Sequence, residues 1–173
     1  ESRPWIVTPD EIGISSQLLG TGAWGTVTLG TFRGLTVAVK QLHRLILSPH
    51  NQEKFLREME ISSRIRHPHI LQFICCSQQA QTLLVITEVM ELSAREAYLS
   101  NRLSKSQSVK VLIQCGLALQ YLHGFKPVPI IHRDISSCNV LLSAKSSTTW
   151  VAKLSDFGAA NFIRDEVSSA PGA

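Results

Sequence analysis

The chain lacks any run of roughly 18 uninterrupted apolar residues, the length a membrane-crossing helix needs. Even its most apolar stretch, Val109 to Leu122, is broken by Lys110, Gln114 and Gln120, so no membrane contact is expected within this segment. It also lacks CxxC spacing: Cys75 and Cys76 are adjacent, and Cys115 and Cys138 stand alone. That is neither a zinc-site nor a disulfide pattern, and free thiols in a reducing, cytoplasmic compartment are expected. Dense basic clusters are missing too. The net charge is +4, but nothing is tighter than Arg64-Ile65-Arg66-His67, so nucleic acid is not an expected partner. There is no internal repeat, and the one biased stretch, Ser143 to Thr149, reads as a polar loop. The first residue is Glu1 rather than Met, which places the natural N-terminus and any targeting signal outside the sequence.

What is present is ordinary for a globular protein. With 44% hydrophobic and 17% charged residues in 173, disorder over most of the length is not expected, and the length fits one domain or two small lobes. Loosely alternating apolar positions at Ile12 to Leu19, Thr26 to Leu29 and Leu35 to Val39 predict three strands, separated by turn signals at Gly20-Thr-Gly22 and Arg33-Gly34. No helix fits between them, so they form an antiparallel meander. Ser48-Pro49 reads as a cap followed by a helix from about His50 to Arg66, ending at His67-Pro68. Strands are expected at Ile70 to Cys75 and Leu83 to Val89, and a boundary near Met90-Glu91 divides residues 1–90 from residues 91–173. Beyond it, Ser104-Lys-Ser-Gln107 reads as a capping box. Val109, Leu112, Gly116, Leu119 and Leu122 read as one helical stripe, and Gly124 as the stop.

Gly20-Thr-Gly22-Ala-Trp-Gly25-Thr-Val27 matches GxGxxGxV. Dinucleotide-binding folds share these glycines, but there the third glycine opens a helix. Here the next residues, Thr26 to Phe32, are β-branched and alternating, which is strand. A glycine turn between strands lets backbone N–H groups approach phosphates; a glycine-bearing hairpin without a ligand is the plainer alternative. Val37-Ala38-Val39-Lys40 ends an apolar run on an amine that needs an anion or a route to solvent. On the helix after Ser48, Glu58 lies within roughly 60° of Phe55, Ile61, Ser62 and Ile65, on the apolar face, while Glu60 points away. A carboxylate there needs a cation, and Lys40 is the obvious one. Further on, polar residues interrupt apolar runs in Ile130-Ile131-His132-Arg133-Asp134-Ile135-Ser136-Ser137-Cys138-Asn139-Val140-Leu141-Leu142, and Lys153-Leu154-Ser155-Asp156-Phe157-Gly158 sets a carboxylate between an apolar strand and a glycine. Asp134, Asn139 and Asp156 supply oxygen ligands and a proton acceptor, the inventory magnesium and a hydroxyl nucleophile require; each alone could be a structural cap.

In order and spacing, the glycine loop, VAVK, helix glutamate, HRDxxxxN and DFG resemble the eukaryotic protein kinase family, from about Ile12 to the last residue. The resemblance implies an α+β bilobal fold: an antiparallel sheet lobe with one key helix, then the start of a mainly helical lobe. It implies ATP and Mg2+ as cofactors and a protein as substrate. By that likeness Lys40 holds the α- and β-phosphates, Glu58 pairs with Lys40, Asp134 is the catalytic base, and Asn139 and Asp156 bind magnesium. Leu19, Gly20, Gly22 and Gly25 cover the nucleotide, Val27, Ala38 and Leu141 sandwich the adenine, the backbone of Glu88 to Met90 contacts it, and Thr87 limits the pocket's depth.

The sequence departs from the family at HRDISSCN, where Ser136 supplies no positive charge, and at Ser62, where a large apolar residue is usual, so a mobile helix is expected. The phrases Leu122 to Asp134 and Phe55-Leu-Arg-Glu58 are most similar to the tyrosine-kinase-like group, which favours Ser or Thr acceptors over Tyr. The chain reads as stopping inside the activation loop, with Ser168 and Ser169 as its hydroxyls after Gly158, so the piece itself is expected to be marginally stable and of doubtful activity. The rival reading is therefore a non-catalytic ATP-binding scaffold.

Overall fold

The computed structural model describes residues 3–22, 25–42, 49–79, 82–126, 129–146 and 149–156. The expectations at Ser48, Phe157-Gly158, Ser168 and Ser169 lie outside them. The chain forms two compact units: Glu1–Ile65 with Gln72–Val89, and Arg66–Leu71 with Met90–Ala173.

The first unit is built on a six-stranded sheet of β1 (Ile6–Val7), β2 (Ile12–Gly22), β3 (Gly25–Phe32), β4 (Leu35–Leu42), β5 (Phe73–Gln79) and β6 (Thr82–Thr87), in the order β1-β5-β6-β4-β3-β2. All neighbours are antiparallel except β1, which runs parallel to β5. The Arg33-Gly34 turn forms as expected. Both residues take positive φ (47° and 82°), the backbone a two-residue hairpin needs to match strand twist. Gly20 and Gly22, expected in a turn, are instead paired strand residues opposite Val27 and Gly25, because neither adopts the left-handed backbone of a tight turn. Alternation puts Val37 and Val39 of β4 into a core with Val7, Ile12, Phe32, Cys75, Leu84 and Ile86.

Helix α1 (Pro49–Arg64) packs against β5. It buries Phe55, Met59 and Ser62, with Ile65 buried just past its end, while Ile61 is exposed at the edge of the stripe and Arg64 pairs with Glu60 on the outer face. Buried Ser62 sends its hydroxyl back to the Glu58 carbonyl (3.0 Å), a local bond that satisfies it where an apolar residue would otherwise fill space. The expected strand at Ile70 to Cys75 is displaced: β5 begins at Phe73. Ile70 and Leu71 are drawn away to β9 (Thr149–Leu154), where Leu71 N–H donates to the Leu154 carbonyl (2.8 Å).

The second unit holds β7 (Leu92–Ser93), α2 (Ala94–Leu99), α3 (Lys105–His123), β8 (Val140–Ser146) and β9, with sheet order β7-β8-β9. The Ser104 box forms as expected: the Gln107 N–H donates to the Ser104 hydroxyl (3.2 Å) and the Ser104 N–H to Gln107 Oε1 (2.8 Å). The α3 stripe differs from expectation. Val111, Cys115, Ala118 and Leu122 are buried, whereas Val109 and Leu112 are exposed. The register is set by Gln114, which donates to the Trp150 carbonyl (3.1 Å) and accepts from Ala152 N–H (2.8 Å), docking that side of the helix on β9. The supposed polar loop at Ser143 to Thr149 is ladder at both its ends, with β8 running to Ser146 and Thr149 opening β9; Lys145, Ser146 and Thr149 are exposed there while the strand backbone pairs. The loop Arg66–Leu71 is fastened to this unit at both ends. Arg66 N–H donates to the Tyr121 hydroxyl (3.2 Å), the His67 and Tyr121 rings lie 5.1 Å apart, and Leu154 N–H donates to the His69 carbonyl (3.0 Å).

Candidate active site

In the first unit the register collects the expected nucleotide-side residues on one sheet face. Lys40 lies opposite Val27 on β3 and Val85 on β6, and Ala38 opposite Leu29 and Thr87. Directly opposed residues share a face, so Val27, Ala38, Lys40 and Thr87 form one patch on the side away from Val37 and Val39. Ala38 is buried and Lys40 half-buried. Glu58 stands on the inner face of α1, half-buried, with its Oε2 sealed from solvent. The three glycines divide by surroundings. A Cβ on Gly25 would be driven into the Gln41 carbonyl, with the Gln41 carbonyl carbon at 3.1 Å and Leu42 Cα at 3.3 Å. On Gly20 or Gly22 it would meet nothing within 4 Å. Gly25 is therefore demanded by the sheet, and the bareness of Gly20 and Gly22 is available to a ligand. Leu19 is exposed beside them. At the end of β6, Glu88 is tied to the start of β5: its N–H donates to the Gln72 carbonyl (3.1 Å), and its Oε1 accepts from Gln72 N–H (2.7 Å).

In the second unit Asn139 is a hub. Its Nδ2 donates to the carbonyl (2.9 Å) and to Oδ2 (3.0 Å) of Asp134, its N–H to the Ser136 carbonyl (3.0 Å), and its carbonyl accepts both the N–H (2.8 Å) and the hydroxyl (3.1 Å) of Ser155. Spending the amide nitrogen on Asp134 orients Oδ1 as the remaining acceptor, the kind of oxygen a hard cation takes. His132 is buried, and its Nδ1 accepts from the Asp134 N–H (3.3 Å). Burial above all lowers its pKa, which keeps it neutral and able to accept. Arg133 (φ 63°) and Asp156 (φ 60°) both sit in the left-handed region, where a side chain costs about 1–3 kcal/mol and persists only if its surroundings enforce it. The loop is also tied to α2 through Arg95 N–H and the Ser137 carbonyl (3.0 Å). Leu141 is half-buried on β8 between buried Val140 and Leu142, and Met90 Sδ accepts from the Ser143 hydroxyl (3.7 Å).

The donor set fits magnesium. Among the described residues no group of three or more His, Cys, Asp or Glu could hold a metal. An amide oxygen at Asn139 and a carboxylate at Asp156 are oxygen donors of the kind magnesium takes alongside phosphates and water. Ser155 and His132 carry no role in the sequence motifs: Ser155 is followed by Asp156 and His132 by Arg133, so the local pattern does not set them apart.

The family model for protein tyrosine and serine/threonine kinases matches residues 14–172. The chain belongs to the protein kinase family. This kinase chain is similar to a Dictyostelium discoideum protein named "Probable serine/threonine-protein kinase kinX" (31% identical; 95% of this chain, 15% of the relative). It is also similar to that organism's "Seven transmembrane domain-containing tyrosine-protein kinase 1" (34%; 90% and 23%) and to an Arabidopsis thaliana "Probable leucine-rich repeat receptor-like protein kinase" (33%; 89% and 14%). The kinase chain thus spans less than a quarter of the length of each of these relatives. Its fold is the expected α+β kinase type, with a mainly antiparallel sheet unit carrying one long helix. Members of the family use ATP and Mg2+. Among the described residues no helix is long and apolar enough to cross a membrane.

Proposed function

We propose that this chain is the nucleotide-binding and catalytic-loop portion of a protein kinase that transfers the γ-phosphoryl group of ATP to Ser or Thr hydroxyls of a protein substrate, in preference to Tyr. The lobe division in this reading is residues 1–90 and 91–173. The observation that carries the reading is the Asn139 hub, which fixes the Asp134 carboxylate and joins it to the backbone leading into Asp156.

In this assignment the bare backbone at Gly20 and Gly22 closes on the phosphates beneath Leu19, with Gly25 holding the hairpin to β4. Val27, Ala38 and Leu141 take the adenine, Thr87 bounds its depth, and Glu88 to Met90 present backbone to its edge. Lys40, held by Glu58, binds the α- and β-phosphates. Asn139 and Asp156 would hold the magnesium, which neutralises phosphate charge when bound. Asp134 accepts the acceptor hydroxyl's proton as that oxygen bonds to the γ-phosphorus, the bond to the β-phosphate oxygen breaks, and ADP leaves. The cytoplasm, which supplies ATP, is the compartment proposed for this segment.

The test is magnesium-dependent transfer of labelled phosphate to a mixed peptide pool, with Asp134→Asn as control. A loss of about 10²-fold or more in the control is expected, with label on Ser and Thr. Metal-dependent ATP binding without transfer by a longer wild-type protein that carries this segment would instead favour the scaffold reading.

A further inference from the structure

We propose that Ser155 is a positioning residue for the two cation ligands, its hydroxyl fastening the backbone of Asn139 to that of Asp156; the inference rests on the kinase reading above. Ser155 is 5% exposed and has room for few partners. Both its N–H (2.8 Å) and its hydroxyl (3.1 Å) converge on one acceptor, the Asn139 carbonyl. That doubled bond is placed where it matters most. Asn139 belongs to the loop that ends in β8, Asp156 follows β9, and Ser155 is the residue immediately before Asp156. The φ of 60° at Asp156 needs external enforcement, and the residue that sets its starting point is the one clamped twice. The backbone bond alone would hold the distance between the strands; the hydroxyl adds a second donor that resists rotation about it. Through the same carbonyl the clamp reaches the Asn139 side chain, whose amide is already engaged with Asp134 (2.9 and 3.0 Å). Ser155 touches neither metal nor phosphate in this account and acts through Asn139 and Asp156.

Removing the hydroxyl leaves the Asn139 carbonyl satisfied by the Ser155 N–H, so the fold survives and the loss falls on how well the two ligands are held. The experiment measures calorimetric affinity of the full chain for a non-hydrolysable ATP analogue, once with Mn2+ as the metal and once in EDTA. Ser155→Ala is expected to weaken the Mn2+ arm about fivefold, the scale of one neutral hydrogen bond, and to leave the EDTA arm within about twofold. Ser155→Thr, which keeps the hydroxyl, is expected to retain the Mn2+ affinity, and Ser155→Cys, matched in size with a poor donor, to behave like Ala. Equal losses in both arms, or no loss for Ser155→Ala, would overturn the proposal. A wild-type chain whose nucleotide affinity ignores Mn2+ would overturn the kinase site reading beneath it, which is a different result from the variant pattern.

Discussion

Replacing the three glycines of the β2–β3 hairpin one at a time separates what the sheet needs from what a nucleotide needs. At Gly25 a methyl group would meet backbone rather than a movable side chain: the Gln41 carbonyl, with Leu42 Cα at 3.3 Å. Strand backbone must shift to admit it, and overpacking of this kind costs about 1–3 kcal/mol. For a chain of this size that lowers Tm by roughly 2–4 °C per kcal/mol, so Gly25→Ala should melt about 2–12 °C below wild type. Gly20 and Gly22 have nothing within 4 Å of a Cβ and no positive φ. Their Ala variants should melt within about 1–2 °C of wild type, since a compatible Gly→Ala change is neutral or slightly favourable. Adding ATP and Mg2+ reverses the ranking. A ligand at about 100 times its Kd stabilises by about 2.7 kcal/mol; Gly25→Ala should keep most of that shift, and Gly20→Ala and Gly22→Ala should lose most of it. Thermal melts of the four proteins with and without nucleotide suffice. A Gly25→Ala protein that melts with wild type, or full nucleotide shifts in both other variants, would refute the division.

Two further outcomes follow from protonation. Burial pushes the Cys75 thiol up to about 11 and Cys76 to about 12, and raises Cys115 as well, whereas Cys138 is exposed. Thiolate is the reactive form, so brief iodoacetamide treatment at neutral pH followed by peptide mass spectrometry should find Cys138 labelled and the other three protected until denaturant is added; early labelling of Cys75 or Cys76 would contradict the core. The His67 pKa is lowered, first by burial and then by the charge of His69, and its Nδ1 must be unprotonated to accept from His69 N–H (3.1 Å). Folding therefore favours neutral His67, and its contribution is present above the ordinary His pKa and lost as pH falls below it toward the lowered value. Hydrogen exchange of the amides at residues 66–71 should quicken between about pH 7 and 5.5 after correction for intrinsic rates, and less so in His67→Asn, which keeps an acceptor that does not titrate.

Local chemistry made parts of both units readable. Arg33-Gly34 announced its turn through the glycine, which takes positive φ without strain, and Ser104 with Gln107 announced its cap because both partners lie within four residues. Glu58 was found by angle alone. What escaped was decided at a distance. Helix α3 has apolar residues on both faces, Val109, Leu112 and Ile113 on one and Val111, Cys115 and Ala118 on the other, so periodicity offers two stripes and only Gln114 meeting β9 selects between them. Ile70 and Leu71 look like the start of a strand until Leu154 claims their backbone. Ser155 looked like a residue at a strand end, because nothing local says that its hydroxyl reaches a carbonyl sixteen residues earlier in the chain.

The fastening of Arg66–Leu71 has a bearing on how this chain can be divided. The six residues lie in sequence between α1 and β5, both of the first unit, yet their partners are Tyr121, Ala152 and Leu154. Each unit is therefore discontinuous, and neither can be excised by a single cut. A piece ending at Val89 would carry Ile70 and Leu71 without β9, and a piece beginning at Met90 would present β9 with an empty edge and Tyr121 without its stacking partner. A nick in this short loop would wound the second unit, although the loop sits in the middle of the first unit's sequence. Strand β9 thus secures a loop that left the ribosome long before it.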